Sequence, residues 1–189
     1  MLISPPFGGG RAPVLAKNAV ASSQPLATQA GIEALQSGGN AVDAALATAI
    51  TLTVVEPTMN GLGGDGFALI WDGKKLHGMN ASGRAPAAWT PEYFSGKTAM
   101  DLIGWNTVTV PGMVSGWIEL SRKFGKLPFA QLFKRAIDYA ENGFPVSPVI
   151  ARQWREAIPI LKNQPGFSES FLIDGKAPTA GQTWRYPAQ

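Results

Sequence analysis

Cysteine is absent from this 189-residue chain, and histidine occurs once, at His77. The first absence excludes disulfides and thiolate-held metals, and leaves the redox compartment undecided. The second excludes a histidine-cluster metal site and any Ser-His-Asp triad built wholly from these residues. His77 itself reads as an ordinary surface or half-buried side chain of a hairpin. No metal and no cofactor is expected. Charge is scarce as well: 15% of residues are Asp, Glu, Lys or Arg, against 45% hydrophobic. A surface so short of solvating groups implies that something else covers part of it. The net charge of +3 is dispersed over small clusters such as Lys74-Lys75, Arg122-Lys123 and Lys134-Arg135. No basic stripe with interleaved aromatics appears, so nucleic acid is not an expected partner. No apolar run reaches membrane-spanning length, so no membrane is expected either. The opening "MLISPPFGGGRAPVL" lacks the basic start and apolar core of a secretory signal. Residues 1–18 read as a loose Pro/Gly-rich arm, and the cytoplasm is favoured over the periplasm.

The length suits one domain with a real core. Residues 19–22 are a short strand candidate. Ser23 is expected to cap a helix over 24–36, with Pro25 in its first turn and Gly38-Gly39 ending it. Asn40 with Asp43 forms an aspartate version of the capping box. The helix that follows, "AVDAALATAITLTVV", is apolar almost all round, which places it inside a larger body. Further on, helices are expected at about 113–124, from about Phe129 to Asn142-Gly143, and from Ser147-Pro148. In the second of these, Phe129, Leu132, Phe133, Ala136, Ile137 and Ala140 carry a helical spacing. The third carries Ile150, Trp154, Ala157 and Leu161. A last hairpin is expected at Asp174-Gly175.

Glycines crowd the stretch "NGLGGDGFALI", residues 60–70. A P-loop would need Gly-Lys-Ser/Thr after them, and a dinucleotide fingerprint a strand before and a helix after. Here a helix precedes, and two apolar runs around Asp72-Gly73 follow as a β-hairpin. The order is reversed, so the nucleotide reading fails. Gly61, Gly63, Gly64 and Gly66 permit positive φ and close backbone approach, and Asp65 is placed to accept amide N–H bonds within the turn. A sharp structural reversal is preferred over direct substrate contact.

The ordered segments "GGNAVDAALATAITLTVVEP", "GLGGDGFALI", "SGRAP", "VPGMVSGWIEL" and "FGKLPFAQLFKRAIDYAENGFPVS" resemble the N-terminal half of a γ-glutamyltransferase, or glutathione hydrolase. The resemblance covers about residues 15–189. It implies an α+β fold: part of the αββα four-layer sandwich of the N-terminal-nucleophile hydrolases, here mostly helical with short hairpins. It implies a precursor that cuts itself into two subunits, with residues 19–189 an incomplete large-subunit domain and the small subunit as partner. The freed N-terminal threonine of that small subunit is then nucleophile and base at once. No catalytic residue is therefore expected within these residues. Thr48, Thr51 and Thr53 read as helix-packing side chains.

One ligand of the family falls inside the chain. Many members have "R-E-x-A-P", whose arginine holds the α-carboxylate of the γ-glutamyl group through its planar fork. Here "NASGRAP" puts Ser82 at that position and Arg84 two residues later. If the segment is extended, both point to one face. Arg84 then either reaches the pocket or pairs with a structural carboxylate, and Ser82 and Arg84 are the candidate substrate-binding residues. The "SGRAP" form resembles the γ-glutamyltransferase-like and cephalosporin-acylase-like branch, in which the acyl group need not be glutamyl. Three functions follow: a subunit of an enzyme acting on small acyl amides, a non-catalytic remnant that folds with a partner, and an independent small-molecule binding domain.

Overall fold

The computed structural model describes residues 15–189, so most of the expected N-terminal arm lies outside the described residues. Helix α1 (Pro25–Gln36) and helix α2 (Ala41–Val55) pack along each other. The contact is close because Gly31 has no side chain: a Cβ there would lie 2.3 Å from Thr48 Oγ1 and 2.9 Å from Ala44 O. The α1 cap differs from expectation. Gln24, not Ser23, supplies the side-chain acceptor, to Leu26 N. Ser23 Oγ instead donates to Glu56 Oε2 at 2.7 Å, tying the chain before α1 to the end of α2. Residues 19–22 are not a strand, since no backbone partner runs beside them among the described residues.

The Asn40–Asp43 capping box is present in full. Asp43 is completely buried, and its carboxylate also accepts Lys126 N at 3.0 Å and Leu127 N at 3.3 Å. Asn40 Nδ2 adds a bond to Phe124 O. Two distant loops thus meet at one cap. Thr48, Thr51 and Thr53 donate back to the carbonyls of Ala44, Ala47 and Ile50. That satisfies their hydroxyls inside an apolar helix, where an unpaired one would be costly.

Strands β1 (Gly66–Trp71) and β2 (Leu76–Ala81) form an antiparallel hairpin, with Phe67 opposite Asn80 and Trp71 opposite Leu76. One face, carrying Ala68, Ile70 and Met79, packs on the core. The other leaves Phe67, Leu69, Trp71 and Leu76 between 57% and 77% exposed. Helix α3 (Met113–Phe124) buries Trp117 and Leu120 against α2 and β2. The expected helix from Phe129 begins as a tight 3-10 turn over Phe129–Phe133 and becomes α-helical only as α4 (Lys134–Asn142). Leu132, Ala136 and Ala140 face the core, whereas Ile137 is half exposed. Arg135 joins α4 to α1 through a forked pairing with Glu33, and also reaches Asp138 at 3.0 Å.

Ser147 caps helix α5 (Pro148–Leu161) as expected. Phe144–Pro145 (β3) pairs with Thr183–Trp184 (β4), and the short helix α6 (Phe167–Phe171) lies between α5 and β4 in the chain. Asp174 and Gly175, both at positive φ, make the tight turn closed by an Ile173–Lys176 bridge. Trp154 anchors this region: its ring meets Phe171, Trp184 and Tyr186, and its Nε1 donates to Phe171 O at 2.8 Å. Trp184 Nε1 and the Tyr186 hydroxyl are buried without a partner, and burial pushes the Tyr186 phenol well above its ordinary pKa.

Candidate substrate site

The end of β2, the glycine loop and the start of α3 converge. Val110 N donates to Arg84 O at 2.9 Å, Thr109 Oγ1 to Ser82 O at 2.9 Å, and Met113 N to Gly64 O at 3.2 Å. Two glycines make this crossing possible. Gly83 adopts φ +82°, and a Cβ on it would lie 1.9 Å from Val110 O. A Cβ on Gly112 would lie 2.3 Å from Ala81 O and 2.5 Å from Gly83 N. Sequence reading gave these two no role, although Gly83 inside "SGR" and Gly112 after a proline were visible as turn signals.

The left-handed Gly83 breaks the alternation that would put Ser82 and Arg84 on one face of an extended strand. The two residues are held side by side in the chain but not by strand geometry. Ser82 is half-buried, its N–H bonded to Asn80 Oδ1 at 2.9 Å. Arg84 is exposed, and among the described residues its guanidinium meets no carboxylate and makes no hydrogen bond. The structural-carboxylate alternative for Arg84 therefore finds no partner here. Its charge is available to an incoming group.

The glycine loop differs in detail from expectation. None of Gly61, Gly63, Gly64 or Gly66 takes a positive φ. Only Gly64 is crowded: its Cβ would lie 3.1 Å from Gly61 O and 3.2 Å from Met113 Cε. The loop is closed by Gly64 N donating to Gly61 O at 3.0 Å. Asp65 is exposed and accepts no hydrogen bond among the described residues, so the turn is held by main chain alone. Glu56, buried at the end of α2, accepts Asn60 N through its carbonyl at 3.1 Å and so sets the loop's starting point.

His77 is part of the hairpin and remote from this crossing. Its Nε2 lies 2.7 Å from Asp72 Oδ2, and its ring meets Phe124 edge-on at 5.0 Å. Among the described residues no group of three or more His, Asp or Glu side chains is placed to hold a metal, and no helix is long and apolar enough to cross a membrane.

An all-round apolar helix, a hairpin bare on one face and a glycine-locked crossing beside a free arginine define a portion of a larger layered hydrolase. A family profile described as gamma-glutamyltranspeptidase matches residues 27–189, and the chain belongs to that family. It is 41% identical over 169 residues to the glutathione hydrolase-like YwrD proenzyme of Bacillus subtilis, covering 88% of this chain and 32% of the relative. It is 42% identical over 171 residues to the oxamate amidohydrolase proenzyme of Klebsiella pneumoniae, again covering 32% of the relative. Among solved structures it is similar to the cephalosporin acylase of Bacillus halodurans, at 43% identity and a TM-score of 0.81, over 96% of this chain and 37% of that one. The gamma-glutamyltranspeptidase of Helicobacter pylori superposes with a TM-score of 0.85 at 29% identity, over 94% of this chain and 53% of that one. The fold is thus that of the N-terminal-nucleophile hydrolases, contributed here mostly as helices. The chain spans about a third of the length of the curated relatives it matches.

Proposed function

We propose that this chain supplies the large-subunit side of an amide acyl-transfer site, completed by a threonine-led subunit from the same precursor. The threonine hydroxyl attacks the acyl amide carbonyl, and its own α-amine takes the proton and passes it to the departing amine. Water or a second amine then releases the acyl group from the ester. Within this scheme Arg84 receives an anionic group of the acyl donor, with Ser82 beside it. The carrying observation is the Arg84 guanidinium, exposed and unpaired among the described residues, on a neck fixed by Gly83 and Gly112. The matched relatives bear the names glutathione hydrolase, oxamate amidohydrolase and acylase, so the acyl donor is a small amide whose identity the pocket selects.

Producing the complete precursor tests this. Mass spectrometry should find a new chain that begins with threonine. The processed protein should release amine from γ-glutamyl-p-nitroanilide, oxamate or a neutral acyl anilide. The 189 residues alone should turn over none of them. An unprocessed and inert precursor would instead support the non-catalytic remnant.

A further inference from the structure

Helix α2 is buried except for one stripe, in which Ala41 and Ala45 are exposed and Ala49 and Leu52 half-buried. This stripe is the floor of a channel. On one side lies β1, separated from α2 by a groove of about 470 Å³ whose lining includes Ala45, Ala49, Leu69 and Trp117 and no charged side chain. On the other side lies segment 17–23, across a groove of about 650 Å³ that shares Ala41, Ala45 and Ala49 and has Lys17 as its one charge.

The β1 wall is an unpaired edge. Asp72 N donates to Lys75 O and closes the hairpin, so every second residue inward from Asp72 bonds across to β2. Phe67, Leu69 and Trp71 therefore turn their N–H and C=O groups away from β2, and among the described residues nothing meets them. An open row of main-chain groups beside an apolar trough is a template for one more strand. The alanine floor leaves depth for that strand's side chains.

We propose that the channel takes a β-strand added to the free edge of β1, supplied by the part of the precursor beyond these residues. Its side chains must be apolar on both faces. One face meets the alanines of α2, and the other continues the row of Phe67, Leu69 and Trp71. The source is argued from length, since this chain covers only 32% of each of two curated relatives. The proposal shares with the functional reading only the existence of that further polypeptide, and its test reads no turnover.

The chain is produced with the rest of its precursor, and backbone amide exchange is compared with that of the chain alone. The amides of Phe67, Leu69 and Trp71 should slow by about 100-fold or more in the complex. Ala45→Lys should leave the melting temperature of the lone chain unchanged, because that site faces solvent. It should cut the yield of complex about tenfold or more, because the strand would bury the new charge. Gln36→Lys, on the exposed side of α1, should change neither. Leu69→Pro removes an N–H that β2 does not use, and should likewise weaken assembly while the hairpin persists. Fast amides in the complex, or normal assembly of both Ala45→Lys and Leu69→Pro, would overturn the proposal. So would a lone chain that dimerises and slows the same amides, since a second copy would then be the occupant.

Discussion

The carboxylate of Asp43 lies fully buried and accepts main-chain N–H groups from Asn40, Lys126 and Leu127. Asp43→Asn keeps the shape but turns an NH2 group toward amide donors, leaving at least one buried N–H unpaired. Thermal or urea unfolding should show a loss of roughly 3 kcal/mol, and a loss under 1 kcal/mol would deny Asp43 this role. At Arg84 the expected effect is on selectivity. In the processed protein, Arg84→Ala should lower kcat/KM for anionic donors by roughly one to two decades, the loss of about 1.5–3 kcal/mol of charge-assisted bonding. Neutral donors and self-cleavage should be little changed, and Arg84→Lys should recover only part of the loss because it lacks the fork. Equal losses for charged and neutral donors would point to Ser82 as the next residue to test.

Among the elements, the β1–β2 hairpin carries a pH dependence. Asp72 accepts a hydrogen bond from His77 and the amides of Lys75 and Lys74, which lower its pKa from 3.8 to about 2. A lowered carboxylate pKa stabilises the folded hairpin above the ordinary value, and the benefit is lost as pH falls from about 4 through about 2. The Lys74 and Lys75 amide resonances should move with a midpoint near 2, and Asp72→Asn should abolish the movement. A midpoint at the ordinary value would mean that the tip is not formed in solution. The same elements show what the sequence reveals. Asn40–Asp43, Ser147-Pro148 and the Asp72-Gly73 turn were legible because caps and turns are local chemistry. The second use of Asp43, the Gln24 cap and the kink at Gly83 were not, because each depends on residues brought close only by folding. Glycine spacing around Gly61–Gly66 suggested strained dihedrals, yet the loop is satisfied by one tight turn and by room left for Met113.

At the scale of the whole molecule, apolar surface exceeds what a self-sufficient domain leaves bare. Phe67, Leu69 and Trp71 lie open on one sheet face, and Leu102 and Trp105 are 95% and 83% exposed on the excursion between Arg84 and Val110. The lone chain should therefore bind a hydrophobic dye or self-associate. A dye-silent monomer with one sharp unfolding transition would contradict this account of the molecule. The charge-poor composition is explained by the same surface, since covered faces need few solvating groups.

The six tryptophans divide sharply by environment. Trp117, Trp154 and Trp184 are buried, whereas Trp71 and Trp105 are 64% and 83% exposed. Indole emission follows the polarity around the ring, so Trp71 is a built-in optical gauge of whether the outer face of β1 is covered. Excited at the red edge of its absorption, the lone chain should show a long-wavelength component that acrylamide quenches readily. Covering that face should shift part of the component to shorter wavelength and shield it, while the signal from Trp154 stays where it was. Trp71→Phe would remove the change and leave the rest of the spectrum in place.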